Sequence, residues 1–422
     1  METLIPEVQK EIEKIAKNHD FEKFTIDITN TASDAGDGYI GVIEAGCLKD
    51  ENTDKKINLV LKKAPTSINL RKQFPVREAF TREIYIYEKL FPEFLSFQTE
   101  HNVTKIFNNF PKLYGCVEDE YKETLIMENL KESGFKLADR TKPFDANHLN
   151  LVIRTYAKLH AVSYGMKKLE PEKFKLLSER ISINIMMIHR DQARNAEREE
   201  TSKSEEGQKE NRNMMGAALL KSCFNAIKDR PDLTSELQKC VKNIFAHTTD
   251  INKEKYAVVI HSDCWSANLL FKYEDESKPC LPTDISIIDW QTSLVSNPMH
   301  DISYFLFVTA GKEDLNNYKG YLRTYYQALC ENLNDFGIEA ESFYPFELLE
   351  QHWKRYSRIG FLMSSSMLRQ SLSTTKTRDL SQMADNGQNV FDEEDSDDDS
   401  ELYKQRMIDL VEFIIENKFL EI

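Results

Sequence analysis

The chain has 422 residues, and its 55 Lys and Arg against 70 Asp and Glu leave a formal net charge of −15. This acidic balance argues against a nucleic-acid-binding protein, which needs a basic surface for phosphates. A hydrophobic content of 41%, with 24 Phe and 17 Tyr, is enough for a sizeable core and excludes a globally disordered chain. The length suggests two large domains or one two-lobed enzyme.

Targeting and redox signals predict a cytoplasmic protein with no membrane partner. The seven cysteines form no CxxC pair, a pattern more typical of reduced thiols than of a disulfide framework or a structural zinc site. The first twenty residues carry charges every few positions, unlike a signal peptide. No apolar run approaches the roughly 18 residues that a membrane span requires.

The first part of the chain is predicted to be an antiparallel sheet with one inserted helix. Apolar residues at helical spacing between Leu4 and Ile15 predict an amphipathic opening helix. A second helix is predicted from about Val76 to Leu90. Short runs rich in β-branched and aromatic residues predict the strands, which are FEKFTIDIT, YIGVIEAGCL, INLVLKKA, KLYGCVED and ETLIMENL.

After Phe144 the periodicity becomes mainly helical, so the predicted boundary separates a lobe of residues 1–130 from a lobe of residues 131–422. Two segments of the second lobe, residues 190–212 and 374–401, are predicted to be mobile insertions. The second contains the run from Asp392 to Glu401, which holds eight acidic residues and no basic one. This run alone supplies more than half of the net charge.

The stretch from Ala257 to Gln291 contains residues suited to phosphoryl transfer. Asp263 follows one predicted strand, Asn268 comes five positions later, and Asp289 ends another strand-like run. Phosphoryl transfer needs a carboxylate to orient the attacking hydroxyl and hard oxygen ligands to hold Mg²⁺ against the nucleotide phosphates. We therefore assign Asp263 as the catalytic carboxylate and Asn268 with Asp289 as the metal ligands.

Residues of the first lobe occur in the order that this chemistry requires. Lys62 ends an apolar strand, where its ammonium group can neutralise nucleotide phosphates, and Glu83 follows 21 residues later on the predicted helix, where it can pair with Lys62. Gly36, Gly38 and Gly41 lie between the first two strands in a GxGxxG pattern, which lets backbone N–H groups approach phosphates. Glycines in a hairpin turn explain this pattern about equally well.

Five other residues of these and nearby motifs are expected to have structural roles. His261 is expected to shape the catalytic loop rather than to carry protons. Trp265 and Trp290 are expected to brace the loop by packing, and His160 to be a buried helix residue. Asp301 is expected to cap or anchor the loop.

The motifs taken together resemble the insect ecdysteroid kinase-like family, within the choline-kinase-like and aminoglycoside-phosphotransferase-like kinases. The resemblance covers about Phe24 to Phe361 and rests on the sequences HSDCWSANLLF, SIIDWQ, NPMHDISYFLF, YAKLHAVS, LKKAP, FTREIYIYEKL and IMENL. The family pattern H-G-D-x-W-x-x-N is kept except that Ser262 replaces Gly, a change between small residues that is expected to matter little. The phosphate loop often ends with Ser in the family, where Gly41 stands here.

The resemblance implies an α+β, bilobal protein-kinase-like fold, with an antiparallel sheet lobe and a larger, mainly helical lobe. ATP would lie between the lobes with Mg²⁺. Adenine would contact the backbone of a hinge from Met127 to Leu130, so that Glu128, Asn129 and Leu130 join the nucleotide site.

The acceptor is expected to be a small molecule, because no A-P-E motif of a protein kinase activation segment follows Asp289. The residues of the motifs favour an ecdysteroid or related lipophilic alcohol as the acceptor, a class that includes steroids. A choline- or ethanolamine-type or xenobiotic alcohol remains an alternative, as does a pseudokinase that binds nucleotide or steroid. A third alternative is an interaction scaffold that uses the charged segments, and the oligomeric state stays open.

Overall fold

A computed structural model describes residues 4–29, 40–185, 220–241, 244, 255–275, 277–372, 379–390 and 400–421. In chain order, the elements that build the first half are α1 (Pro6–Asn18), β1 (Phe24–Thr29), β2 (Val42–Asp50), β3 (Lys56–Lys63), α2 (Ile68–Gln73), α3 (Val76–Tyr85), a π-helical turn (Ile86–Leu90), α4 (Phe91–Glu100), β4 (Leu113–Val117), β5 (Thr124–Glu128), β6 (Phe135–Leu137), α5 (Ala146–Leu169) and α6 (Pro171–Glu179).

The second half contributes mainly helices with short strands around one loop region. Its elements are α7 (Pro231–Val241), β7 (Val258–Ile260), a 3₁₀ turn (Ser266–Asn268), β8 (Leu269–Lys272), β9 (Asp284–Ile287), β10 (Leu294–Ser296), α8 (Met299–Thr309), α9 (Lys312–Asn316), α10 (Tyr318–Asp335), α11 (Ala340–Phe343), α12 (Phe346–Leu372), α13 (Leu380–Asp385) and α14 (Glu401–Glu416).

The five strands predicted for the first lobe form one antiparallel sheet in the order β1-β2-β3-β5-β4. β3 lies at the centre, and its alternating residues face opposite sides of the sheet. Leu59 and Leu61 pack under α1, against Val8 and Ile12 of its apolar stripe. The same strand therefore supports a hydrophobic core and carries Lys62 on the other face.

The predicted helix from Val76 to Leu90 is part of a longer helical stretch. α3 passes through the π-helical turn directly into α4, so the helical backbone continues to Glu100. Three residues of its apolar face, Phe80, Ile84 and Tyr87, are all buried. This helical stretch packs into the large core that also holds the helices of the second half.

Two small sheets position the loops of the second half. β7 pairs with β10, and β8 pairs with both β6 and β9, all antiparallel. The loops after β7 and β9 are thereby held beside each other. The antiparallel sheet followed by a mainly helical region agrees with the predicted α+β class, while the boundary at residue 130 stays a prediction.

The segment of residues 379–390, which contains α13, lies against α2 of the first half. The Oδ1 atom of Asp385 accepts hydrogen bonds from Ser67 Oγ at 2.6 Å and Asn69 Nδ2 at 3.2 Å, and Gln73 bonds the backbone of Gln388 and Val390. α14 then packs beside α9 and α12. Part of the segment predicted to be an insertion thus joins distant parts of the chain, whereas residues 190–212 lie outside the described residues.

Within the described ranges, no helix has both the length and the apolar character needed to cross a membrane.

Candidate active site

The site begins with a buried ion pair between the central strand and the helix that follows it. Lys62 Nζ donates a hydrogen bond to Glu83 Oε2 at 2.7 Å, and both side chains are almost fully withdrawn from solvent. The second carboxylate oxygen, Glu83 Oε1, accepts from the backbone N–H of Trp290 at 3.2 Å. The predicted Lys62–Glu83 pair is therefore present, and it is joined to the segment that carries Asp289.

Lys62 also contacts Asp289 directly, with 3.0 Å between Lys62 Nζ and Asp289 Oδ1. Burial is the largest single influence on Lys62 and would lower its pKa, but the charges of Asp289 and Glu83 outweigh burial and raise it. Lys62 is therefore held as a cation between two carboxylates. A charged lysine in this position can bind phosphate oxygens.

The catalytic loop after β7 is anchored by Asp301, near the start of α8. Asp301 accepts hydrogen bonds from the backbone N–H groups of His261 and Ser262, each at 2.8 Å, and its side chain is fully buried. Burial would raise the pKa of Asp301, but the hydrogen bond from His160 and the nearby histidines hold it at about 2. The expectation that Asp301 anchors the loop is confirmed.

The backbone of the site is left-handed at two positions, with φ of +67° at Ser262 in the loop after β7 and +62° at Asp289 in the loop after β9. The family pattern has Gly at the first of these positions, and glycine adopts positive φ without steric cost. The expectation that Ser262 matters little was based on its small size. The property that matters here is instead the backbone angle, which a serine adopts only at a cost.

His261 connects the two loops of the site. Its Nε2 atom donates to the carbonyl oxygens of Ile288 and Asp289, both at 3.0 Å, and its Nδ1 atom lies 3.3 Å from the Tyr156 hydroxyl. The ring is fully buried, which lowers its pKa. The expected structural role of His261 is confirmed, because one ring nitrogen binds the backbone of the Asp289 loop and the other lies against the buried hydroxyl of Tyr156.

Asp263 and Asn268 lie in hydrogen-bond contact. Asn268 Nδ2 donates to Asp263 Oδ2 at 2.8 Å and to the backbone oxygen of Asp263 at 3.0 Å. Since the side-chain nitrogen Nδ2 faces Asp263, the side-chain oxygen Oδ1 of Asn268 is left for another partner. The hairpin of β8 and β9 brings Asn268 beside the Asp289 segment, because Ile288 N–H donates to Asn268 O at 3.0 Å.

The pKa of Asp263 is raised to about 7. Withdrawal from water is the first cause, and the negative charge of Asp289 is the second, while hydrogen bonds from Asn268 and Tyr304 oppose the shift. A carboxylate with this pKa can accept a proton near neutral pH.

The donor set fits a magnesium ion shared with a nucleotide. Asn268 and Asp289 present amide and carboxylate oxygens, the hard ligands that Mg²⁺ prefers. Within the described part of the chain, no three His, Cys, Asp or Glu side chains cluster in a way that would hold a metal by themselves. These two residues would therefore hold the ion together with phosphate oxygens, and the ion would supply positive charge against the transferring group.

The predicted hinge, Met127 to Leu130, begins in the last two residues of β5. The N–H of Glu128 donates to Lys112 O at 2.9 Å, and the N–H of Asn129 donates to Asn58 O at 3.1 Å. These two amides are used within the protein, whereas the N–H of Leu130 has no hydrogen-bond partner in the described structure. Of the predicted adenine contacts, Leu130 is thus the residue whose backbone donor is available.

Of the three predicted phosphate-loop glycines, Gly36 and Gly38 lie outside the described residues. Gly41 has a φ of +115°, and a Cβ atom there would lie 3.0 Å from Lys63 O and 3.2 Å from Phe80 Cζ. Backbone conformation and close packing against β3 and α3 therefore account for this glycine locally. Its predicted contact with phosphates stays a prediction.

Two residues of the site were missed by sequence reasoning. Tyr304 has the helical spacing of a core-packing residue, but its hydroxyl donates to Asp263 Oδ1 at 3.2 Å. Arg82, on α3 beside Glu83, is buried and donates to the carbonyl oxygens of Ser293 at 3.0 Å and Ile183 at 2.6 Å. No local signal in the sequence points to the contact between Tyr304 and Asp263, which are 41 positions apart.

A lysine paired with a glutamate, beside an aspartate, asparagine and second aspartate, is the constellation of kinase-type phosphoryl transfer. The model of the ecdysteroid kinase-like family matches residues 35–338. The chain belongs to the ecdysteroid kinase-like family. It is a phosphotransferase that acts on the hydroxyl group of a small molecule, and its predicted α+β, protein-kinase-like fold class is confirmed.

The solved structures that are similar to this chain include two GDP complexes of aminoglycoside 2'-phosphotransferase-IIIa. The wild-type complex is 11% identical over 91% of this chain and 100% of the other, with a TM-score of 0.38. A single-site mutant is 11% identical over 85% of this chain and 97% of the other, with a TM-score of 0.39. The comparison with curated proteins finds no match.

Proposed function

We propose that this protein transfers the γ-phosphoryl group of ATP, with Mg²⁺, to the hydroxyl of an ecdysteroid or related lipophilic alcohol. The observation that carries the proposal is the position of Lys62 between Glu83 at 2.7 Å and Asp289 at 3.0 Å. Lys62 would bind nucleotide phosphates, Asn268 and Asp289 would hold Mg²⁺, and Asp263 would orient the acceptor hydroxyl and receive its proton.

The helix beside Asp263 supports an acceptor without positive charge. α12 reaches the catalytic loop at its C-terminal end, where Ser371 Oγ lies 3.1 Å from Ser266 Oγ. It also lies against α8, since a Cβ atom on Gly360 would be 2.7 Å from Tyr304 N. Ser266 lies three positions after Asp263, and Tyr304 donates a hydrogen bond to Asp263.

Among the described residues, neither α8 nor the C-terminal part of α12 offers a free carboxylate to a cationic acceptor. Residues 351–372 of α12 include no Asp or Glu, and Asp301, the acidic residue of α8, is engaged with backbone N–H groups. A choline-type acceptor needs an aromatic cage with carboxylates near its quaternary nitrogen. The charge pattern therefore favours a lipophilic alcohol over a choline- or ethanolamine-type one.

The test is Mg²⁺-dependent ATP consumption by the purified protein with a panel of ecdysteroids, choline, ethanolamine and lipophilic alcohols. We expect a mass-shifted phosphorylated product from a lipophilic alcohol, and turnover at least 100-fold lower in Asp263→Asn. Product formation by Asp263→Asn at a near-normal rate would contradict the assignment of Asp263. Product from choline alone would contradict the acceptor class.

Nucleotide binding separates an enzyme from a pseudokinase. Asp289→Ala should abolish the Mg²⁺-dependent part of ATP binding in calorimetry, whereas Asp263→Asn should retain it, because Asp263 is not proposed as a phosphate or metal ligand. ATP binding by the wild type without turnover on any alcohol would make the pseudokinase alternative the better account. Unchanged affinity in Asp289→Ala would move the metal site elsewhere.

A further inference from the structure

Asp263 is held by hydrogen bonds from two separate parts of the chain. Asn268 Nδ2 donates to Oδ2 at 2.8 Å, and the Tyr304 hydroxyl donates to Oδ1 at 3.2 Å. Two donors that bind different oxygens of one carboxylate resist rotation about its terminal bond, which is otherwise soft. Asn268 belongs to the same loop as Asp263, but Tyr304 belongs to α8.

We propose that Tyr304 is a positioning residue, whose hydrogen bond fixes the Asp263 carboxylate in the orientation that receives the acceptor hydroxyl. The inference rests on the proposed function of Asp263. Tyr304 itself need not touch either substrate. Because a general base must lie within hydrogen-bond reach of the proton it accepts, a freely rotating carboxylate would be productive for less of the time.

Tyr304 is built to hold a fixed position. Its side chain is fully buried, and α12 passes so close to its backbone that only glycine fits at position 360. Asp301 lies one helical turn earlier on α8 and binds the backbone N–H groups of His261 and Ser262. One helix thus holds both the backbone of the catalytic loop and the side chain of its functional carboxylate.

The hydroxyl of Tyr304 also remains a donor under all practical conditions. Burial is the main cause that raises its pKa well above the usual value, and the neighbouring Asp263 charge adds to the shift. The phenolic proton is therefore retained, and the hydrogen bond to Asp263 does not depend on ionisation of the tyrosine.

The test is a double-mutant cycle between Tyr304→Phe and Asp263→Ala. In the wild type, Tyr304→Phe should lower kcat about tenfold and leave the KM for ATP unchanged, since it misplaces the carboxylate without altering the nucleotide contacts. In the Asp263→Ala background, the same substitution should cause no further loss. Equal losses in the two backgrounds would overturn the proposal, because they would indicate a general structural effect.

Tyr164→Phe is the matched control. Tyr164 is another fully buried helix tyrosine, and its hydroxyl donates to the backbone oxygen of Tyr256 at 2.8 Å, with no contact to Asp263. This variant should leave kcat within about twofold of the wild type and show no coupling to Asp263→Ala. A tenfold loss of kcat in Tyr164→Phe would show that any buried hydroxyl has this effect, and would also overturn the proposal.

Thermal unfolding of the wild type, Tyr304→Phe, Asp263→Ala and the double variant tests the contact independently of catalysis. Tyr304→Phe should lower Tm in the wild type and lower it less in the Asp263→Ala background, where the hydroxyl has already lost its partner. If no variant and no acceptor gives turnover, the proposed function fails, yet the Tm cycle still reports on the contact. Equal Tm losses in both backgrounds would overturn the role of Tyr304 whatever the activity.

Discussion

Glu83 holds two partners at once, with Lys62 Nζ at 2.7 Å from one carboxylate oxygen and the N–H of Trp290 at 3.2 Å from the other. Because Trp290 directly follows Asp289, the orientation of Lys62 and the position of the proposed metal ligand depend on the same side chain. Helix α3 is in turn held by Arg82, which donates to Ser293 O and Ile183 O. The residues of the proposed nucleotide site are therefore connected to one another.

Glu83→Gln should weaken ATP binding about tenfold. A neutral amide removes one of the two negative charges that hold the Lys62 ammonium group, so Lys62 is left to pair with Asp289 alone. Calorimetry with Mg²⁺ and ATP would measure the loss. Glu78→Gln, on the same helix, is the control, and an equal loss there would show that the effect is not specific to the ion pair.

Asp263 should make the metal-free protein less stable as the pH rises from about 4 to about 7. Its pKa is raised to about 7 in the folded protein against 3.8 for an ordinary aspartate, so in this window the folded state binds more protons than the unfolded state. Rising pH then lowers the free energy of unfolding, by about 2–4 kcal/mol in total.

Asp263→Asn removes this titration, so in a buffer with EDTA its Tm should exceed that of the wild type at pH 8 and match it more closely at pH 4. The difference between the two proteins, measured across the window, isolates the carboxyl group from other titrating residues. A constant Tm difference from pH 4 to pH 8 would contradict the raised pKa.

Ser262→Gly should stabilise the protein by about 1 kcal/mol, because the φ of +67° strains a side chain that glycine lacks. The hydrogen bond from the backbone N–H of residue 262 to Asp301 would be retained. Ser366→Gly, inside helix α12, should instead destabilise the protein, because glycine in a helix interior is about 0.5–1 kcal/mol less favourable than alanine. Chemical denaturation would measure both, and destabilisation by Ser262→Gly would show that the serine side chain makes a favourable contact.

Asp385→Ala should lower the free energy of unfolding by about 1 kcal/mol. The substitution removes the acceptor for Ser67 Oγ and Asn69 Nδ2, and with it part of the contact between residues 379–390 and α2. Asp385→Asn keeps the Oδ1 acceptor and should lose less. Equal unfolding curves for the wild type and Asp385→Ala would mean that this exposed contact contributes nothing to stability.

The sequence by itself determined the order of the site's parts and predicted their chemistry. Lys62, Glu83, Asp263, Asn268 and Asp289 could be proposed as site residues because phosphoryl transfer accepts few residue types, and because each lies beside a strand or helix with a clear apolar period. The five strands and the long helices were predictable for the same reason, since local periodicity records which face of an element is buried.

Only the tertiary structure decided which residues hold that chemistry in place. Tyr304 and Asp263 are 41 positions apart, Arg82 and Ser293 are 211 apart, and Asp385 and Ser67 are 318 apart. Nothing in the local pattern distinguishes Tyr304 from a packing tyrosine, because helical spacing reports burial and not the partner of a hydroxyl. Such contacts depend on how whole elements pack, and the costly backbone angle of Ser262 likewise occurs where its N–H binds Asp301, 39 positions away.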